Sequence, residues 1–94
     1  MADITVTRNP DASRWEASDG EQVVGVAEYA ERGDVVVFPH TVVPPEFGGR
    51  GIAGMLARAS LDDARERGLR VVPQCSFYAD FIGKHPEYAD LLAD

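Results

Sequence analysis

The sequence has 94 residues, 45% hydrophobic and 27% charged, with a net charge of −7. A chain of this length is expected to form one domain, residues 1–94, and to bury only roughly 60% of its unfolded surface, so a weak homodimer is as compatible with it as a monomer. The acidic balance gives no electrostatic reason to bind nucleic acid or an anionic membrane; it suits a cationic partner such as an amine. No apolar run reaches the roughly 18 residues of a membrane span. The opening MADITVTRNPD is polar and alternating rather than signal-like, which places the expected location in the cytoplasm. One cysteine, Cys75, excludes an internal disulfide, and the distant His40 and His85 give no ligand spacing, so no metal is expected.

In chain order, Ile4–Arg8 alternates apolar and polar side chains as a strand, and Asn9–Ser13 supplies a turn. Arg14–Ser18 is a second strand, followed by Asp19-Gly20, a two-residue hairpin signal. Glu21–Glu31 is a third strand, turned by Arg32-Gly33-Asp34. Val35–Val43 is a fourth, rich in β-branched residues; Pro39 inside it demands an edge, a bulge or a splayed end. Four strands with short turns predict an antiparallel meander.

The period then changes. After a glycine-rich loop, Ile52, Met55, Leu56, Ala59 and Asp63 share one helical face, with Arg58, Asp62, Arg65 and Glu66 toward water. The helix spans Gly51 to Arg67 and stops at Gly68. Leu69–Cys75 reads as a fifth strand, and the strand–helix–strand unit sets it parallel to the fourth. Ser76–Lys84 is a short helix, and Pro86–Asp94 a last one with Pro at its first position. Mixed α+β is the expected class.

The loop PPEFGGRGIAGML matches G-x-G-x-x-G over Gly49-Arg50-Gly51-Ile52-Ala53-Gly54. The dinucleotide reading of that pattern needs the first strand of a parallel sheet and a carboxylate about 20 residues further on. Here the loop follows the fourth strand of a meander, and the fifth ends in Pro73-Gln74-Cys75. The physics survives without the dinucleotide. Glycines ahead of a helix expose N–H groups to an anion, and the helix dipole adds positive potential. Gly48, Gly49, Gly51 and Gly54 exceed what a plain strand-to-helix turn requires.

Meander, splayed fourth strand, glycine loop, helix and parallel fifth strand together resemble the GNAT superfamily of N-acetyltransferases, in particular its short stand-alone YjdJ-like subgroup. The resemblance covers essentially the whole chain and is strongest from His40 to Tyr88, where His40-Thr41, the glycine loop, Cys75 and His85-Pro86-Glu87-Tyr88 occur in order. It implies a minimal GNAT-like fold and an acetyl-coenzyme A-dependent transfer of an acetyl group to an unknown amine acceptor. A non-catalytic acyl-coenzyme A-binding module is the alternative. By this resemblance the cofactor-binding residues are Val42, Val43, Gly48, Gly49, Arg50, Gly51, Ile52, Ala53 and Gly54. Gly48 stands where the family's loop carries Gln or Arg, Val42 where the subgroup often has an acidic residue, and Phe81 where relatives carry the tyrosine that protonates the leaving thiolate.

Direct acetyl transfer needs a neutral amine, a polarised thioester carbonyl and a proton for the leaving sulfur. Backbone N–H groups of Val42 or Val43 are the candidate polarisers. Cys75, at the end of the fifth strand, is an acid, a nucleophile or a small core residue. Tyr78, one turn before Phe81, either replaces the missing acid or packs in the core. Histidine titrates near neutrality, so His40 is either a general base or a cap on the fourth strand. Glu28 and Glu46 are read as solvated.

Overall fold

The computed structural model describes residues 3–48 and 51–93. Its sheet has five strands in the order β1 (Thr5–Asn9), β2 (Arg14–Ser18), β3 (Val23–Arg32), β4 (Val35–Val42) and β5 (Arg70–Val72). The first four pair antiparallel and β5 lies parallel to β4, the mixed α+β arrangement that the sequence predicts. A 3₁₀ turn at Pro45–Phe47, helix α1 (Ile52–Glu66), helix α2 (Ser76–Lys84) and a 3₁₀ helix at Pro86–Leu91 complete the described elements.

The β2–β3 turn is longer than the two residues that Asp19-Gly20 suggests. The Asp19 carboxylate accepts from the N–H groups of Glu21 and Gln22 at 3.0 Å each, which draws both residues into the turn and delays β3 to Val23. The β3–β4 turn does use two residues, Gly33 in the left-handed region (φ 62°) and Asp34, between paired Arg32 and Val35. β5 is three residues long rather than seven, because Pro73 ends its ladder. The last element is 3₁₀ and not α-helical. The chain then returns to the sheet, where the Ala93 N–H donates to the Val71 carbonyl at 2.9 Å and covers the edge of β5.

One face of the sheet holds the core. Trp15, Ala17, Ala27, Val36, Phe38 and Val71 project from the strands onto α1 and α2. The helix offers Ile52, Leu56, Ala57, Ser60, Leu61 and Ala64. This is a stripe rotated from the expected one, and Met55 is 42% exposed. Alanines and a serine face the sheet because the strands come close there, and each fully buried leucine contributes about 2 kcal/mol. Closeness is sharpest at Gly25, where an added Cβ would stand 2.9 Å from Ile52 Cγ2 and 3.2 Å from Val43 Cγ2. Ser60 is satisfied locally, donating to the carbonyls of Leu56 and Ala57. The other face of the sheet carries no helix among the described residues, and Glu28, Ala30 and Arg32 alternate along it in the open.

Candidate functional site

Where β4 and β5 part, the backbone opens. The two strands pair in parallel from Val35↔Arg70 to Val37↔Val72, and the Cys75 N–H then donates to the Phe38 carbonyl at 2.8 Å. Beyond Phe38, β4 continues to Val42 while the other chain turns away into α2. A bulge lies at the same point: two β4 residues, Phe38 and Pro39, stand opposite the single Tyr29 of β3. Pro39 has no N–H to give a ladder, so the chain inserts an extra residue there and the strand bends. The bulge and splay expected from Pro39 are both present.

Cys75 occupies the head of this splay, half-buried at the N-terminal cap of α2. Its Sγ lies 3.4 Å from Thr41 Oγ1 on β4. Burial pushes the thiol up, but the Thr41 hydroxyl and the N–H groups of Phe77, Tyr78 and Thr41 outweigh it, and the thiol sits below its ordinary range. Thr41 is the residue that sequence reading missed. Its signal was Pro39: a bulge there shifts the alternation by one, so that Thr41 pairs with buried Ala27 and faces the helices, whereas His40 pairs with Glu28 on the open face. His40 and Cys75 therefore flank the splay from opposite sides of the sheet.

Tyr78 is not at the splay. Its ring is fully buried and stacks on Phe38 with centroids 4.4 Å apart. Its hydroxyl meets Ser60 Oγ at 2.7 Å, and because Ser60 gives its proton to the helix carbonyls, Tyr78 is the donor. Desolvation pushes this phenol far above its usual range, the opposite of what an acid at neutral pH requires. The place as a proton donor that the sequence left open for Tyr78 is thus corrected to a core role, set by its position on the core face of α2. Phe81 is buried too, stacked on His85 at 4.0 Å.

The glycine loop joins the same region. Gly48 ends the 3₁₀ turn in extended backbone, and a Cβ there would lie 3.2 Å from the Pro45 carbonyl oxygen. Gly49 and Arg50 lie outside the described residues. Gly51 caps α1 in the left-handed conformation (φ 72°), and a Cβ on it would meet nothing within 4 Å. The first helical bond is from the Met55 N–H to the Gly51 carbonyl, so the N–H groups of Ile52, Ala53 and Gly54 have no acceptor within the helix. The first turn contains no acidic residue. Ile52 is 2% exposed, so only its main chain is available. Open space beside Gly51, main-chain donors without an acceptor among the described residues and a 15-residue helix dipole fit a phosphate-bearing group. Val42 is exposed and Val43 half-buried at the far end of β4. Among the described residues, no group of three His, Cys, Asp or Glu side chains is placed to hold a metal ion, and no helix is long and apolar enough to cross a membrane.

Comparison with known proteins agrees with this geometry. Residues 14–91 match the family model described as GCN5-related N-acetyl-transferase. Over 52 residues, 55% of this chain, the sequence is 40% identical to the protein NATD1 of Bos taurus, and the match spans 46% of that protein's length. The solution structure of a GCN5-like candidate N-acetyltransferase from Staphylococcus aureus superposes with a TM-score of 0.76 at 24% identity, covering 99% of this chain and 91% of that one. With the family model spanning most of the chain, the chain belongs to the GCN5-related N-acetyltransferase family.

Proposed function

We propose that the protein transfers an acetyl group from acetyl-coenzyme A to an amine. The observation that carries this reading is the meeting of two features: a glycine-capped helix start with three N–H groups that have no acceptor within the helix, and a splay between β4 and β5 headed by a polarised thiol. In this reading the main-chain donors of Gly51 to Gly54, with Gly48, Gly49 and Arg50 before them, hold the pyrophosphate, and the pantetheine arm runs along the unpaired edge of β4 as an added strand does.

The strand geometry refines which donors serve the carbonyl. The Thr41 N–H faces the splay beside Cys75. Alternation then turns the Val42 N–H toward β3, where Val42 pairs with Val26, and returns the Val43 N–H to the splay. Thr41 and Val43 are therefore the polarising donors, and Val42 contributes its side chain. When the amine nitrogen attacks the acetyl carbon, the new C–N bond replaces the C–S bond. The amine's proton passes to His40 on the open face, and Cys75 returns a proton to the departing sulfur. Thr41 holds the thiol in place for that donation.

A second reading, a non-catalytic acyl-coenzyme A-binding module, is favoured by one observation: the Tyr78 hydroxyl is locked onto Ser60, and Phe81 offers no proton. Thiol release from acetyl-coenzyme A across a panel of amines, with calorimetric binding of coenzyme A measured alongside, separates the two. Amine-dependent release supports the transferase. Binding without release supports the module, and absence of both overturns the coenzyme A reading.

A further inference from the structure

The open face of the sheet carries a hollow that the acetyl-transfer reading leaves without an occupant. It measures about 270 Å³ and is lined by Ala30, Arg32, Val37, Pro39 and Gln74. Its floor is apolar, since Ala30 and Val37 pair directly and Pro39 stands in the bulge. Its polar lining residues are Arg32 and Gln74. Pro39 precedes His40 and Gln74 precedes Cys75, so the hollow lies against the splay, on the side opposite the Thr41–Cys75 contact.

The state of Arg32 is unusual in this molecule. Arg8 and Arg67 pair with Glu31, Arg14 with Glu16, and Arg65 with Asp90. Arg58 donates to the Tyr88 hydroxyl and Arg70 to the Asp90 carbonyl. Arg32 is the one arginine among the described residues with no acceptor. Four residues back along β3, on the same face, stands Glu28, paired in register with His40; both are exposed and neither makes a side-chain hydrogen bond among the described residues. A strand rise of about 3.3 Å per residue separates the Arg32 and Glu28 backbones by about 13 Å. The face thus presents a cation, an apolar floor, and then a carboxylate beside an imidazole.

We propose that the acetyl acceptor lies along this face and is a zwitterion: an amine joined through a short apolar spacer to a carboxylate. The inference rests on the acetyl-transfer reading and names its substrate class. Arg32 takes the carboxylate through its forked donors, assisted by the Gln74 amide. Glu28 draws the ammonium to the end of the face where His40 removes its proton. A diamine of the same length would set its second charge against Arg32, and a purely anionic acceptor would be repelled by a chain of net charge −7.

Thiol release with acetyl-coenzyme A is measured on three acceptors of matched length: δ-aminovalerate, pentylamine and cadaverine. The expected result is a kcat/KM for aminovalerate roughly tenfold or more above the other two, a ratio that Arg32→Gln collapses toward one by raising KM rather than lowering kcat. Preference for pentylamine or cadaverine, or an unchanged ratio in Arg32→Gln, overturns the proposal. If no amine supports release, the acetyl-transfer reading fails by itself, and amide NMR shifts on titrating aminovalerate into the coenzyme A-saturated protein still decide the site. Shifts at Ala30, Arg32 and Gln74 that pentylamine does not cause support it, and their absence overturns it.

Discussion

Cys75 Sγ and Thr41 Oγ1 stand 3.4 Å apart across the point where β5 ends and β4 runs on. Thirty-four residues separate them in sequence, and the contact spans the splay that defines the candidate site. Because the thiol is held below its ordinary range partly by this hydroxyl, Thr41→Val should raise it. Alkylation of Cys75 by iodoacetamide at a fixed neutral pH should then slow, with the pH profile moved to higher values. An unmoved profile would remove Thr41 from the site. Cys75→Ala should lower kcat for acetyl transfer while leaving coenzyme A affinity within about twofold. A variant with full turnover and reduced stability would make the thiol a packing group only.

Gly51 separates two effects that are often confused. Its left-handed φ disfavours a β-branched side chain by about 1–2 kcal/mol. A Cβ there meets no protein atom within 4 Å, so added bulk projects into open space. Gly51→Val should therefore stay folded by circular dichroism yet lose at least roughly tenfold in coenzyme A affinity. Unchanged calorimetric affinity in the folded variant would exclude the helix start as the phosphate site.

Gly25 tests the opposite situation. A methyl group here meets Ile52, Val43 and Leu56 at 2.9, 3.2 and 3.3 Å, between the sheet and the first turn of α1. Overpacking of this kind typically costs about 1–3 kcal/mol. Gly25→Ala should lower the thermal midpoint and, by shifting Ile52, weaken coenzyme A binding as well. A midpoint equal to that of the parent protein would show that α1 moves away freely.

Tyr78 gives a pH-dependent prediction whose sign is fixed by its environment. Burial holds the folded-state phenol above tyrosine's ordinary value of about 10. The stability it contributes is fully present below that value and is lost as pH rises through the alkaline range. Tyr78→Phe removes one buried hydrogen bond and should cost about 1 kcal/mol at neutral pH. The loss of stability between neutral and strongly alkaline solution should be smaller than in the parent. Some loss should persist, because burial and the Asp62 carboxylate also raise Tyr88. Identical alkaline profiles in urea unfolding would contradict the assignment.

Local chemistry fixed much of the architecture in advance. Arg14–Ser18 and Ser76–Lys84 occupy the spans that their patterns predict, and Gly68 adopts the left-handed conformation of a helix-ending glycine. Pro39 requires a defect in β4, and the defect is there, because a missing N–H is a property of the residue itself. The crossover through α1 sets β5 parallel to β4 for the same kind of reason. What sequence could not decide is which of several locally equal choices the core accepts. Helical spacing allowed Met55 and Ala59 to face inward. Only the closeness of the strands selects Ala57, Ser60, Leu61 and Ala64 instead. Tyr78 was open to the splay or to the core until Phe38 and Ser60 gave it a stacking surface and an acceptor. The bulge decides that Thr41, and not His40, turns toward Cys75, since one inserted residue exchanges the faces of every side chain beyond it. Periodicity and turn residues act over a few positions. The site is assembled from β3, β4, the start of α1 and the start of α2, whose meeting is fixed by packing between segments far apart in the chain.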